Sequence, residues 1–512
     1  MNKRCLTATL FLLTTLAPLA AEVIELPKSD CREFGAVNIF ASDSAALLIS
    51  LDDAINSALR NNIALSVENL KPQISETDVE KEKARFAPIF SAELVSSERV
   101  GRSLSQQRKL NDSINNSTEA EVAVSQLSTS GTRTALSLSQ ARSRSATTDD
   151  LYNTRFGFEL QHPLRRGAGR NVNLVSLRKA ELELDWSEYE LQGFVLALAA
   201  RVETLYWQYY LRLRQLEIVR ESLQLAERQR EETGRRIEAG SIPESEAAAA
   251  EAEVALRYEE LINAESQSVT AAVALLRAIN HDSEKFWSLR PELTDAPLLR
   301  QIEQLDLCSH IATAMQKRPE LAQARLLSEQ DSLDIVESEN GLLPRLDFFA
   351  TIGTTGYATG SGKSLNRLGN RDTYDISAGF VYEVSQGRRA EKAELRRAKV
   401  SHAMRLEAIR NLEQVIQEEA IRAFIEVKRT VQQMTATAAT SQKQLEKLRV
   451  EEVRFSVGKT TSFQVAQAQR DLTAARIAEV QAAVEYTNAI IELFRADGSL
   501  LERNRIALEN TD

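Results

Sequence analysis

Leu191, Val195, Leu198, Val202, Leu205, Tyr209, Leu216, Val219 and Leu223 follow one another in alternating steps of four and three, interrupted once at Arg212. A 3.5-residue period of apolar side chains is the pattern of a left-handed coiled coil. It sits in a stretch, 171–238, that reads as one continuous helix. At about 1.5 Å per residue such a helix is about 100 Å long. No compact globule needs that length, so the chain builds something elongated.

The helix ends at "RIEAGSIPESEAAAAE", which begins at Arg236, and a second long helical stretch ends at "RFSVGKTTSFQVAQAQ", which begins at Arg454. Both open with Arg-x-x-x-Gly, 454 − 236 = 218 residues apart. At that offset Leu177, Arg178, Ala180, Arg236, Gly240, Ala271, Leu275, Arg277 and Ala278 fall on Leu395, Arg396, Ala398, Arg454, Gly458, Ala489, Leu493, Arg495 and Ala496. At an offset of 256, Leu51, Ile55, Ala58, Leu65 and Pro88 fall on Leu307, Ile311, Ala314, Leu321 and Pro344. The difference, 256 − 218 = 38 residues, is extra material in the first half between Pro88 and about position 171. The pattern implies a two-fold internal repeat with units too long for a solenoid.

Each half reads in the same order: an opening helix (51–86, then 307–341) stopped by a proline, alternating strands, a very long helix (171–238, 387–456), the glycine break, and a return helix (243–280, 461–496). The expected organisation is therefore a first repeat at 51–280 with strands in 89–162, a linker at 281–306, and a second repeat at 307–496 with strands in 346–385. Tails at 22–50 and 497–512 flank the repeats. After each glycine, Ser241 with Glu244 and Thr461 with Gln464 have the spacing of a capping box for the return helix.

Composition fits this reading. Among 512 residues there are only 19 Gly and 10 Pro, while 27% are charged, the balance of long helices. The net charge of −10, with basic residues dispersed among acids, argues against nucleic acid as a partner. Residues 1–21 have the plan of a secretory signal: Lys3 and Arg4, an apolar run from Leu6 to Leu16, then small residues to Ala21. No later stretch supplies the roughly 20 consecutive apolar residues of a membrane-spanning helix. Beyond Cys5 in the signal, Cys31 and Cys308 remain, a pair that an oxidising compartment could join.

Between Pro88 and the long helix the apolar period drops to two. In "TRFGFELQH" the apolar set is Phe156, Phe158 and Leu160; in "YDISAGFVYEV" it is Tyr374, Ile376, Ala378, Phe380, Tyr382 and Val384. Phe90, Ala92 and Leu94 repeat the pattern after Pro88, as do Leu346, Phe348, Ala350 and Ile352 after Pro344. Ala120–Leu127 and Thr132–Gln140, around "STSGT", form a further hairpin that accounts for most of the extra residues. Such strands suit a half-buried sheet or a membrane barrel, oily outside and wet inside. Export and the lack of a globular core favour the barrel. Six strands are too few to close one, so several chains would share it and leave no edge exposed to lipid. The first-repeat hairpin either joins the barrel or extends an outer loop.

Chemistry-bearing motifs are few. "YATGSGKS" at 357–364 approaches a phosphate-binding loop, but Tyr357 stands at the first glycine position, and the segment reads as a flexible loop between strands. His162, His281, His310 and His402 are scattered without metal-ligand spacing. The cluster Tyr206, Trp207, Tyr209 and Tyr210 reads as packing. No enzyme, cofactor or metal is expected.

The duplication, the strand-to-helix passage "LQHPLRRGAGRNVNLVSLRKAELEL" and both Arg-x-x-x-Gly breaks together resemble the TolC-like outer membrane efflux protein family. "SVGKTTSFQVAQAQ" is the closest match within it. The resemblance implies a mainly α chain whose long antiparallel coiled-coil helices form a periplasmic tube. A twelve-stranded outer membrane β-barrel is shared between three protomers, and the linker and tails form a collar. It further implies a passive exit duct of a tripartite efflux pump or type I secretion system. The partners would be a periplasmic adaptor and an inner membrane pump, proton-driven or ABC type. Arg236, Gly240, Arg454, Val457 and Gly458 would then be adaptor-docking helix tips at an iris-like closed end. Phe156, Phe158, Leu160, Tyr374, Ile376, Phe380 and Tyr382 would face lipid. Cys31 and Cys308 would both lie near the collar. Acidic residues six and nine positions after the second glycine, frequent in the family, are Gln464 and Gln467 here, with Glu244 and Glu246 in the first repeat. The different reading, an exported coiled-coil envelope scaffold without a pore, requires the strands to form a small soluble sheet.

Overall fold

The computed structural model describes residues 46–104, 110–145, 148–280, 289–297, 305–370 and 373–506. The expected signal segment and Cys31 lie outside them. A short strand β1 (Ala46–Ile49) leads into three helices, α1 (Leu51–Asn61), α2 (Ile63–Glu68) and α3 (Leu70–Ala84). Four strands follow: β2 (Ile89–Leu104), β3 (Leu110–Leu127), β4 (Arg133–Ser145) and β5 (Thr148–Pro163). Then come the long helix α4 (Val175–Glu238), the return helix α5 (Ser245–Ile279) and strand β6 (Arg290–Leu293). The second half runs α6 (Leu307–Lys317), α7 (Pro319–Gly341), β7 (Arg345–Ala358), β8 (Tyr374–Glu383), α8 (Arg389–Ser456) and α9 (Ser462–Ala496).

The opening helices are not continuous. In the first half Asn62 interrupts: its side chain accepts from the N–H groups of Ala64 and Leu65 and caps a new helix, so the chain kinks where a single helix over 51–86 was expected. In the second half Pro319 starts α7 and forces Arg318 into an extended backbone, ending α6 one residue earlier. Neither kink disturbs the long helices, which at 64 and 68 residues are each about 100 Å long.

Near mid-length a single core ties the halves together. Val195, Leu198, Val202 and Tyr209 of α4 are buried there with Ile55 of α1, Leu275 and Ile279 of α5, and Leu500 and Leu501. These α4 positions belong to the sequence's 3.5-residue seam, which also buries Leu216 and Val219 nearer the tip. Arg212, the interruption, instead reaches Gln215 and Gln267, both at 2.8 Å. Here β1 pairs in parallel with β6, joining the end of the N-terminal tail to the linker. Tyr209 donates to the Pro291 carbonyl at 2.9 Å, and Asp295 accepts the Leu51 N–H at 2.7 Å. Burial raises both the Tyr206 and Tyr209 hydroxyls to about 12. The aromatic cluster is packing: the Tyr206 and Tyr209 hydroxyls meet the β1–β6 segment, while the buried Trp207 indole N–H has no hydrogen-bond partner.

The remaining strands form one antiparallel sheet in the order β2-β3-β4-β5-β7-β8. The first-repeat hairpin therefore joins the sheet and does not extend an outer loop. Each chain supplies six strands, and three chains would supply eighteen, not the twelve implied by resemblance. The cause is the 38-residue excess of the first half: β3 and β4 pair with each other along their length and insert between β2 and β5.

Candidate functional site: an amphipathic sheet and two helix tips

Register sorts the sheet's two faces. One rung carries Phe90, Val124, Leu136, Phe158, Ile352 and Ile376, one residue from each strand. The next carries Ala92, Val122, Leu138, Phe156, Thr354 and Tyr374. The opposite face presents Glu93, Glu121, Ser139, Arg155 and Thr355 in line. The seven strand residues singled out in the sequence thus share one apolar face, and Tyr374, Ile376, Phe380 and Tyr382 are each at least 64% exposed in the single chain.

The apolar patch is slanted. On β2 it runs from Phe90 to Leu94, away from the helices; on β8 it runs from Tyr374 back to Tyr382, toward them. Its centre shifts by about four residues, roughly 13 Å, over five interstrand gaps of about 4.8 Å each. That is a slope of about 30°, slightly below the 35–45° strand tilt of a membrane barrel. A horizontal slab of lipid would cut tilted strands along such a diagonal.

At the far end of the long helices both breaks have the same hydrogen-bond pattern. The Ser241 N–H donates to the Arg236 carbonyl and the Gly240 N–H to the Ile237 carbonyl, each at 2.8 Å. The Lys459 N–H donates to Arg454 at 2.9 Å and the Gly458 N–H to Phe455 at 3.0 Å. This is the Schellman closure, which requires a left-handed residue at the position Gly240 (φ +70) and Gly458 (φ +74) occupy. The Arg-x-x-x-Gly spacing is therefore the distance from the third-last helical residue to the terminating glycine. The capping boxes do not form: α5 starts after Pro243 with Glu244 as a helical N-cap, and Thr461 makes no side-chain cap. Glu246, in the first turn of α5, accepts from the Ser462 hydroxyl of the other tip.

The two arginines differ. Arg236 donates to the Phe455 carbonyl at 3.0 Å, and its guanidinium lies 4.4 Å from the centre of the Phe455 ring. It joins the first tip to the second. Arg454 pairs with Glu451 on its own helix at 3.0 Å. Around it Val453, Val457 and Phe463 are exposed, so the second tip carries an apolar crown.

Sequence reading missed a buried link behind the tips. Glu253 of α5 accepts from Arg257 at 2.7 and 2.9 Å through one oxygen and from Arg470 of α9 at 2.6 Å through the other. The Arg257 side chain is 4% exposed and also reaches Glu260 at 2.6 Å. Glu253 and Arg257 are spaced i, i+4 and look like any surface pair; only the partner on α9 sets them apart.

Among the described residues no helix is long and apolar enough to cross a membrane. Residues 310–499 match the family model of the outer membrane efflux proteins. The match covers most of the second half of the chain. Solved structures extend the likeness in fold to nearly the whole molecule. The outer-membrane channel OprN aligns with a TM-score of 0.67 at 15% identity, over 88% of this chain and 90% of that one. The CmeC outer membrane channel of Campylobacter jejuni gives 0.65 at 13% identity, over 88% and 86%. The MtrE outer membrane channel of Neisseria gonorrhoeae, in its open state, gives 0.62 at 18% identity, over 88% and 89%. Among curated proteins nothing matches the sequence. Each of these solved structures is an outer membrane channel, and the likeness is one of fold.

Proposed function

We propose that three copies of the chain form a passive exit duct for a tripartite efflux pump or type I secretion system, with the tips at Gly240 and Gly458 docking on a periplasmic adaptor. The observation that carries this reading is the six-stranded amphipathic sheet with two unpaired edges, β2 and β8. In lipid a bare edge is untenable, because each unpaired backbone group costs several kcal/mol. Edge-to-edge closure of three such sheets removes every edge. Eighteen strands spaced about 4.8 Å apart and tilted 35–45° give a backbone radius of about 17–19 Å. Four helices per chain pass any level of the tube, and twelve helices at 8–10 Å spacing enclose about 15–19 Å. The two parts fit each other. A duct has no energy source of its own, so an inner membrane pump drives transport, and the apolar crown of Val453, Val457 and Phe463 suits a helical adaptor.

The test is a pair of neighbouring substitutions. Phe158→Arg places a charge on the lipid face and should cost roughly 2–4 kcal/mol, read as loss of the heat-labile oligomer on unheated gels. Glu159→Arg, on the polar face, should leave that oligomer intact. Equal tolerance at both positions, or recovery of the wild type from soluble periplasm, overturns the reading.

A further inference from the structure

The connection between β7 and β8, which reads in sequence as a flexible loop, forms a short helix, Ser361–Arg367. It does not hang free. The Ser364 hydroxyl is 2.7 Å from the Thr154 hydroxyl, Gln140 reaches Thr154 at 2.9 Å, and Ser361 donates to Gln140 at 2.7 Å. Thr154 and Ser364 are both fully buried. Gly356 lies beneath, where a Cβ would come 2.1 Å from the Ser364 carbonyl oxygen, so only glycine allows the helix to seat.

The face on which it seats decides its meaning. Gln140 and Thr154 continue the rows of Leu138 and Phe156 and pair with each other one rung farther from the long helices. The helix therefore covers the apolar face, just beyond its outer margin, and not the polar face. Lys363, Leu365 and Arg367 are exposed there. Arg142 and Arg144 occupy the same face on the next two rungs of β4, sharing Asp150 at 2.7 and 2.9 Å. Glu98 of β2 is a further carboxylate on that face, level with Arg144 through Asn116. Lys363, Arg367, Arg142 and Arg144 thus stand near Asp150 and Glu98. They lie two to six residues beyond Leu138, roughly 7–20 Å along a strand, which tilt reduces to the depth of lipid head groups.

We propose that this outward shelf, Lys363 and Arg367 with Arg142 and Arg144 behind them, binds the phosphorylated head group of the outer-leaflet glycolipid. The inference rests on the apolar face meeting lipid, as argued under Proposed function. Cations on the wet face would line the duct; cations on this face can only meet the membrane rim. Phosphates are matched by both residue types, with arginine offering a paired fork and lysine a point charge.

The experiment uses the full chain, solubilised in detergent and first shown to run as the heat-labile oligomer. That step separates failure of the channel reading from failure of this one. Bisphosphorylated lipid A and its dephosphorylated counterpart are titrated by native mass spectrometry. The wild type should hold the phosphorylated form preferentially. A basic side chain near an anionic lipid surface adds roughly five-fold in binding, so Lys363→Gln with Arg367→Gln should weaken it by about 30-fold. Lys363→Arg with Arg367→Lys should retain it, and Gly356→Val, which unseats the helix without changing charge, should weaken it too. Equal binding of both glycolipids, or no loss in the glutamine double variant, overturns the proposal. Displacement by millimolar inorganic phosphate would identify a site for free anion and overturn it as well.

Discussion

The Glu253 link should hold the return helices of the two halves together behind the tips, and its loss should open that end. Replacing Glu253 by Gln removes the charge that Arg257 and Arg470 share across α5 and α9. Removing one partner of a fully buried pair costs about 3–5 kcal/mol. Here Arg257 keeps Glu260 at 2.6 Å, and that glutamate is 40% exposed, so part of the charge stays compensated. Arg470 is itself 29% exposed and can turn to water. An expectation of about 2–3 kcal/mol follows after discounting for both. A neighbouring link supplies the control: Arg476 of α9 meets Glu221 of α4 at 3.1 Å with side chains 40% and 58% exposed, and should contribute about 0.2–1 kcal/mol. Chemical denaturation of Glu253→Gln, Arg470→Gln and the double variant closes a double-mutant cycle, with a coupling of about 1–3 kcal/mol expected for residues in one network. Planar-bilayer conductance reads the functional side. Glu253→Gln should raise it while Arg476→Gln leaves it near wild type. If the coupling is real but conductance is unchanged, the link is structural and the tips are not held shut there.

The remaining expectations are brief. Gly240→Val and Gly458→Val meet no atom within 4 Å, so each should cost only the roughly 1–2 kcal/mol of a left-handed branched residue; oligomers should survive, while export and adaptor cross-linking fall, and normal export in the double variant would show that docking lies elsewhere. Glu203 is buried, which raises its pKa above the usual 4.5 despite a hydrogen bond from Asn504. Below that value its carboxyl is neutral folded or unfolded; as pH rises, burial opposes its ionisation and stability is lost. Glu203→Gln should therefore raise Tm at pH 7–8, and the gain should vanish below about pH 4; a pH-independent gain would point to packing. Cys308 is exposed, and mass spectrometry of unreduced protein should find it joined to Cys31; two freely alkylated thiols would exclude the bond.

Much of this molecule is legible in its sequence because its periods are long. Nine positions stepping by four and three from Leu191 to Leu223 specify a helix and its seam, and the structure differs from that reading only at the ends. Local interruptions were less legible for a physical reason. Asn62 breaks α1 from α2 by capping with its side chain, a choice that competes with helix continuation by a fraction of a kcal/mol, and nothing in the surrounding pattern announces which option wins. The capping boxes at Ser241 and Thr461 failed in the opposite sense: the spacing is present, but the return helix begins only at Ser245, leaving Glu244 as its N-cap, and Thr461 makes no side-chain cap. Contacts between the halves carry no local signature at all.

The sheet shows the same division. Alternation in each strand identified the apolar face, and pairing then placed Phe158 beside Ile352 and Leu136, but alternation is indifferent to how many strands share a sheet. The 38 extra residues could have formed a loop, and only the continuous pairing of β3 with both β2 and β4 makes them wall. That outcome has a consequence for width. Barrel radius grows nearly in proportion to strand number, so the proposed barrel of eighteen strands would exceed a twelve-stranded one in backbone radius by about half. Adding wall without adding helices leaves the number of helices at the tips unchanged, which separates the two functions along the tube. On the proposed function the barrel would set what can leave once inside, while the tips, tied by Arg236 to Phe455 and by Glu253 to two arginines, would set when anything enters. A variant lacking the 111–145 hairpin should therefore change single-channel conductance only after the tips are opened by Glu253→Gln. In the closed channel the narrow end is the larger resistance in series, and widening or narrowing the barrel is hidden behind it. A conductance change on hairpin deletion alone would mean that the tips are already open and that the barrel is the constriction.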